Sequence, residues 1–269
     1  MRGGADMGLQ HGVWRAWKPG PRARAIDRGL LDLVFPPHSL DDEEGTTAPQ
    51  SPGLSSEAWG RIAFIDGPVC DGCGAPQAYA LAPGARCPSC EARPHAFQRA
   101  RAACLYDDAS RGLILRLKHA DRLDLAPLFA RWLSRAAREL LADVDLVAPV
   151  PLHPTRLAAR RYNQAAEVAR PLARLSGAAY APDVVRRIKA TPTQGGRSGS
   201  GRRRNVAGAF GVPASKAAQV RGRRVLLVDD VLTTGATADG CARALLAAGA
   251  VGVDVAVVAR VQSADRLSI

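Results

Sequence analysis

Two sets of residues in the 269-residue chain have the types and spacings that do chemistry. The first is Cys70-Asp-Gly-Cys73 with Cys87-Pro-Ser-Cys90. A CxxC turn aims two thiolates at one point. A second such turn, 13 residues further on, completes the tetrahedral four-sulfur shell of a structural zinc site. Four thiolates leave no open position for a water, so the expected role is structural rather than catalytic. A pair of disulfides is the alternative, and it fits poorly with a chain that reads as cytoplasmic, where thiols stay reduced. Cys104 and Cys241 lie in apolar surroundings and are expected to be buried core thiols. His95 follows a shell that is already complete and is expected at the surface.

The second set lies in Arg224-Val-Leu-Leu-Val-Asp-Asp-Val-Leu-Thr-Thr-Gly-Ala-Thr237. Val225–Val228 read as a buried strand, two carboxylates stand where it ends, and a small-residue turn leads into a helix. Backbone N–H groups at a helix N-terminus, with hydroxyls from Thr233, Thr234 and Thr237, suit a dianionic phosphate. Gly235 lets backbone approach closely beside Ala236, and Asp229 and Asp230 can accept hydrogen bonds from ribose hydroxyls or hold Mg²⁺. The bland alternative is an ordinary helix cap and turn. The 13 positions Val225–Thr237 resemble the phosphoribosyl-pyrophosphate signature of type I phosphoribosyltransferases, in which the acids hold the ribose and the loop holds the 5′-phosphate. Where enzymes of that class acting on 6-oxopurines carry a basic Asp, this chain has Thr233, which argues against that substrate.

The charge balance agrees. The chain has 37 Lys+Arg against 25 Asp+Glu, a net +12, and residues 184–224 carry 11 of the cations with no acid. Such an excess attracts phosphate-rich partners. The Gly-rich stretch from Thr191 to Asn205, with Arg202, Arg203 and Arg204, reads either as a cationic lid over the phosphates or as a solvated basic patch. The segment Val147–His153, followed by Arg160 and Arg161, is a second candidate for pyrophosphate. Aromatic residues are sparse between 150 and 224, with only Tyr162, Tyr180 and Phe210, so base recognition is not evident there. Neither His119 nor His153 reads as a base, and no catalytic residue is assigned.

The elements that must position these groups follow from periodicity. Residues 1–25 read as a mobile arm, and residues 26–65 as a short helix followed by an acidic linker with Asp41–Glu44. A Cys₄ ribbon is expected over 66–98 and an α/β domain over 99–269. In the latter, helices are expected at about 109–119, 122–142, 155–176 and 235–249, and strands at 145–150, 183–189, 223–229 and 252–259. That alternation predicts a parallel sheet. No run approaches the roughly 20 apolar residues of a membrane span.

A Cys₄ ribbon ahead of such a domain resembles the ComF family, also called competence protein F or GntX-like. The resemblance runs through Leu30–Pro37, Tyr106–Ala109, Leu117–Asp121, Pro149–His153, Arg160–Gln164, Thr191–Gln194 and Arg203–Val206. It implies a type I phosphoribosyltransferase fold binding phosphoribosyl pyrophosphate with Mg²⁺, and a cytoplasmic role in competence with single-stranded DNA and a helicase-like protein as partners. One departure stands out. Family members often carry a further CxxC after the Phe-Pro-Pro segment, where this chain has His38-Ser-Leu-Asp41. Two other readings stay open: a metabolic phosphoribosyltransferase acting on a nitrogenous base, and a non-catalytic nucleic-acid-binding module.

Overall fold

The computed structural model describes residues 40, 53–79, 82–119, 122–152, 157–158, 161–188 and 208–262. The expected N-terminal arm, the 26–35 helix, the acidic run Asp41–Glu44, His153, Arg160 and the stretch Thr191–Asn205 all lie outside them. Among the described residues, no helix is long and apolar enough to cross a membrane.

The elements in chain order are α1 (Ser56–Arg61), α2 (Pro88–Ala92), β1 (Ala100–Leu105), α3 (Asp108–His119), α4 (Leu125–Ala136), α5 (Arg138–Leu141), β2 (Leu146–Pro149) and α6 (Gln164–Ser176). They continue with β3 (Ala179–Tyr180), β4 (Arg186–Arg187), β5 (Phe210–Gly211), α7 (Ala214–Val220), β6 (Arg224–Leu232), α8 (Ala236–Ala247) and β7 (Gly252–Arg260). Five strands form one parallel sheet in the order β1-β7-β6-β2-β3, as the alternating pattern predicts.

The two central strands explain the layering. β7 is buried along its whole length, and Val225–Val228 of β6 are buried on both faces, which requires helices on both sides. Side chains alternate in a strand. Leu226 and Val228 accordingly join the core built with α3, α4 and α6, while Val225 and Leu227 join the core built with α8.

Several boundaries differ from the sequence reading. β1 was not expected, because Ala100-Arg-Ala-Ala-Cys-Leu has no β-branched residue; it is a strand because it pairs along β7. The long helix expected over 122–142 breaks at Ala137, whose φ of −111° leaves helical geometry. The helix expected from 155 has its cap at Asn163, whose carboxamide oxygen accepts the Ala165 N–H at 3.1 Å. Arg186–Arg187 pair antiparallel with Phe210–Gly211 in a separate two-stranded ribbon, so the 183–189 segment does not join the main sheet, and β3 takes the edge place instead. The cysteine segment and the sheet belong to one unit, Ser39–Ile269.

Candidate functional site

β2 and β6 are neighbours, but the helix after β2 packs on one face of the sheet and the helix after β6 on the other. The chain thus leaves the two strands toward opposite faces, and the crevice at the carboxyl ends of strands so arranged is where parallel α/β sheets receive ligands. β6 runs three residues past its expected end, so Asp229 and Asp230 lie within the strand.

Strand alternation sends the two acids to opposite faces. Asp230 follows Leu226 and Val228 toward α3 and α6, where its Oδ2 meets Lys118 Nζ at 3.0 Å and accepts from Gln164 Nε2 at 3.0 Å. Asp229 follows Val225 and Leu227 toward α8, and its Oδ1 accepts the Asp230 N–H at 2.9 Å. Burial, reinforced by the Asp230 charge, pushes the Asp229 carboxyl up to about 8. Lys118 and Gln164 were not singled out as site residues, since they lie 112 and 66 positions away in sequence and only the fold brings them to Asp230. The tie is reinforced beside it: Tyr162 Oη donates to the Leu117 carbonyl at 2.6 Å, and Asn163 Nδ2 to the Val150 carbonyl at 3.0 Å. Arg161 in this segment has a φ of 65°, a left-handed geometry that costs a non-glycine residue roughly 1 kcal/mol or more.

After β6, Thr233 and Thr234 lead to Gly235, the N-cap of α8, with a φ of 76°. No side chain caps this helix, so its first N–H groups, at Ala236, Thr237 and Ala238, have no intrahelical acceptor and are available to an anion. The glycine is needed for a further reason. A Cβ at Gly235 would lie 2.8 Å from His95 Cε1, so the face lacking a side chain packs against a histidine as well as shaping the turn.

His95 is a correction to the surface position expected of it. Its side chain is 16% exposed, stacks on Phe97 with centroids 4.4 Å apart, and places Nδ1 3.0 Å from Asp239 Oδ2. Asp239, in the first turn of α8, also accepts the Ala96 N–H at 2.8 Å. The cysteine segment is thereby fastened to the helix that would hold a phosphate. A cavity of about 330 Å³ lies between Arg93 and His95 on one side and Thr233, Thr234, Gly235 and Arg260 on the other.

Cys70, Cys73, Cys87 and Cys90 are all buried, with their sulfurs within 4.8 Å of one another. Four sulfurs each 2.3 Å from a central ion stand about 3.8 Å apart, and Cys73 and Cys87 are 3.8 Å apart. Hydrogen bonds from Cys73 and from the Cys87 N–H hold the Cys70 thiol down at about 4, whereas burial pushes Cys90 up to about 12. Arg260 Nη2 stands 3.4 Å from Cys73 Sγ, a buried cation beside the cysteine cluster. This cluster can hold a metal ion. Cys104 and Cys241 lie outside it and are fully buried, as expected.

The phosphoribosyl transferase domain family matches residues 153–268. The chain is 33% identical to the DNA utilization protein YhgH of Salmonella typhimurium over 192 residues, 70% of this chain and 82% of that protein. The chain belongs to the ComF family. Against competence protein F of Haemophilus influenzae, this ComF-family chain is 35% identical over 148 residues, 53% of the chain and 64% of that protein. Among solved structures, it is similar to the phosphoribosylpyrophosphate synthetase of Mycobacterium smegmatis, at 17% identity and a TM-score of 0.29, over 51% of this chain and 33% of that one. It is also similar to the adenine phosphoribosyltransferase of Thermoanaerobacter pseudethanolicus, at 19% identity and a TM-score of 0.29, over 49% and 81%.

Proposed function

We propose that this ComF-family protein binds phosphoribosyl pyrophosphate, or a related sugar phosphate, at the carboxyl end of β6. Thr233, Thr234, Gly235, Ala236 and Thr237 would hold the 5′-phosphate, and Asp229 and Asp230 the ribose hydroxyls. The observation that carries this reading is the uncapped N-terminus of α8 directly after two carboxylates that alternation aims to opposite sides of one strand end. Lys118 and Gln164 would fix the Asp230 carboxylate as an acceptor. Because Lys118 already occupies Asp230, Asp229 would be the carboxylate for a Mg²⁺ that arrives with the pyrophosphate, the cation taking the place of the proton that burial favours there. The ion would neutralise the diphosphate when bound.

In this reading, residues 66–98 form a structural zinc ribbon on Cys70, Cys73, Cys87 and Cys90, and residues 99–269 form the phosphoribosyltransferase-like domain. The names of its relatives, a DNA utilization protein and a competence protein, support a role in DNA utilization or competence. Single-stranded DNA and a helicase-like protein as partners, and a cytoplasmic location, belong to this reading as what the family resemblance implies. Calorimetry of the full chain with Mg²⁺ and phosphoribosyl pyrophosphate tests the ligand. Saturable binding, lost in Asp229→Asn/Asp230→Asn, is expected. No heat at millimolar ligand with a folded protein would reject it. A defined base that releases pyrophosphate would turn the reading toward a metabolic transferase.

A further inference from the structure

A second cavity lies away from the β6 crevice. It is a groove of about 670 Å³ between the Trp59–Val69 segment, the edge strand β1 and the exposed side of α4. Its aromatic wall is Trp59, Phe64 and Trp132. Trp59 lies 5.0 Å from Phe64, and both meet the Trp132 ring edge-on, at 5.9 and 4.9 Å. Phe64 and Trp132 are thus held in place by packing, while Trp59 remains 36% exposed on the groove. Arg131, Arg135 and Arg138 line the same groove and are exposed. On a helix, positions 131 and 135 are about 6 Å apart along the axis. Arg135 meets Asp66 at 3.1 Å, but with side chains 79% and 63% exposed this pair is readily exchanged for another anion.

One atom in the wall has no structural explanation. The Trp132 indole is 94% buried, and its Nε1–H has no acceptor among the described residues. A buried indole N–H ordinarily finds a partner.

We infer that this groove is a binding surface for a single-stranded nucleic acid. A cationic rim for the phosphates beside a tryptophan face for a base is the arrangement by which single strands are held without sequence preference. The inference rests on the DNA-handling part of the proposed function and adds to it the surface and the residues.

The test is fluorescence anisotropy of the full chain with a labelled oligo-dT at several salt concentrations. Trp59→Ala is expected to weaken binding about 5- to 150-fold, the cost of one lost stacked base, with Trp59→Phe close to the parent. Arg131→Gln/Arg135→Gln, at exposed positions that do not threaten folding, should reduce the salt slope by about 1.4, the value for two phosphate contacts to a single strand. The charge-matched Arg170→Gln/Arg174→Gln on α6 should leave the slope unchanged. Oligo-dT binding that is indifferent to Trp59 and equally sensitive to both arginine pairs would overturn the groove alone. So would an acidic polypeptide that competes as well as the oligonucleotide. No oligo-dT binding by the parent protein would overturn the DNA-handling reading with it.

Discussion

Lys118, one residue before the end of α3, reaches Asp230 on β6 at 3.0 Å across 112 positions of sequence, and Gln164 at the start of α6 shares the same carboxylate oxygen. Three elements thus meet at one acid. Asp230 is 7% exposed, and a carboxylate this buried must be compensated. Among the described residues, Lys118→Met leaves Gln164 as the side-chain donor to this carboxylate. The variant should lose about 1–3 kcal/mol of stability, the cost of a buried acceptor left short of a partner, read from urea midpoints at unchanged slope. Affinity for phosphoribosyl pyrophosphate should fall with it. An unchanged midpoint would show that the ion pair contributes nothing.

Gly235 and His95 form the second such relationship. Gly235→Ala places a methyl 2.8 Å from the imidazole and imposes a φ of 76° on a residue with a Cβ. A loss of about 2 kcal/mol or more is expected, from backbone strain plus overpacking. His95→Ala in the same chain removes the overpacking but also gives up the Phe97 stack and the Asp239 contact, so the two substitutions together should cost less than the sum of their separate costs. Strict additivity of the two substitutions in denaturation would contradict the contact.

Much of this was legible in the sequence, and the misses share a cause. The continuous apolar runs of β6 and β7, the paired acids, the loop and the four cysteines announce themselves locally. β1 does not, because its strand character comes from pairing with β7 rather than from its alanines. Lys118 and Gln164 look like ordinary polar residues until α3 and α6 pack on the same face as Asp230. His95 reads as a surface residue from sequence because its partner Asp239 lies 144 residues away. The aromatic groove was missed for a similar reason: Trp59, Phe64 and Trp132 are scattered in sequence and meet only in the fold.

The six thiols should fall into two classes. Burial, with the Asp107 charge adding to it, pushes Cys104 up to about 12, and burial raises Cys241 as well. Both should resist alkylation at pH 8 in the folded protein, while Cys70, whose thiol is held down at about 4, should be the first of the cluster to react once a chelator removes the metal. A raised thiol keeps its proton in the folded chain after the unfolded chain has lost it. The contribution of Cys104 to stability is therefore complete below the ordinary value of 9.0 and is lost as pH rises from there toward 12. Cys104→Ala should flatten that alkaline decline. Rapid labelling of six thiols in the folded, metal-loaded protein would contradict the assignment.

Metal removal should reach the Thr233–Thr237 loop. Arg260 contacts Cys73 and lines the cavity with Thr233, Thr234 and Gly235, and His95 packs under Gly235. Loss of the ion is expected to lower the thermal midpoint and to weaken sugar-phosphate binding together, with both restored by added zinc. A chelated protein that binds the ligand with parent affinity would separate the two sites.

The claim that the β6–α8 turn holds a phosphate is tested most directly by hydrogen exchange of the full chain with and without Mg²⁺ and phosphoribosyl pyrophosphate. The N–H groups of Ala236, Thr237 and Ala238, which have no acceptor within the helix, should gain protection with ligand, together with Thr233 and Thr234. In Asp229→Asn/Asp230→Asn that protection should disappear at the same ligand concentration. Saturating ligand that leaves the exchange of residues 233–238 unchanged, or protects a different segment, would contradict the account.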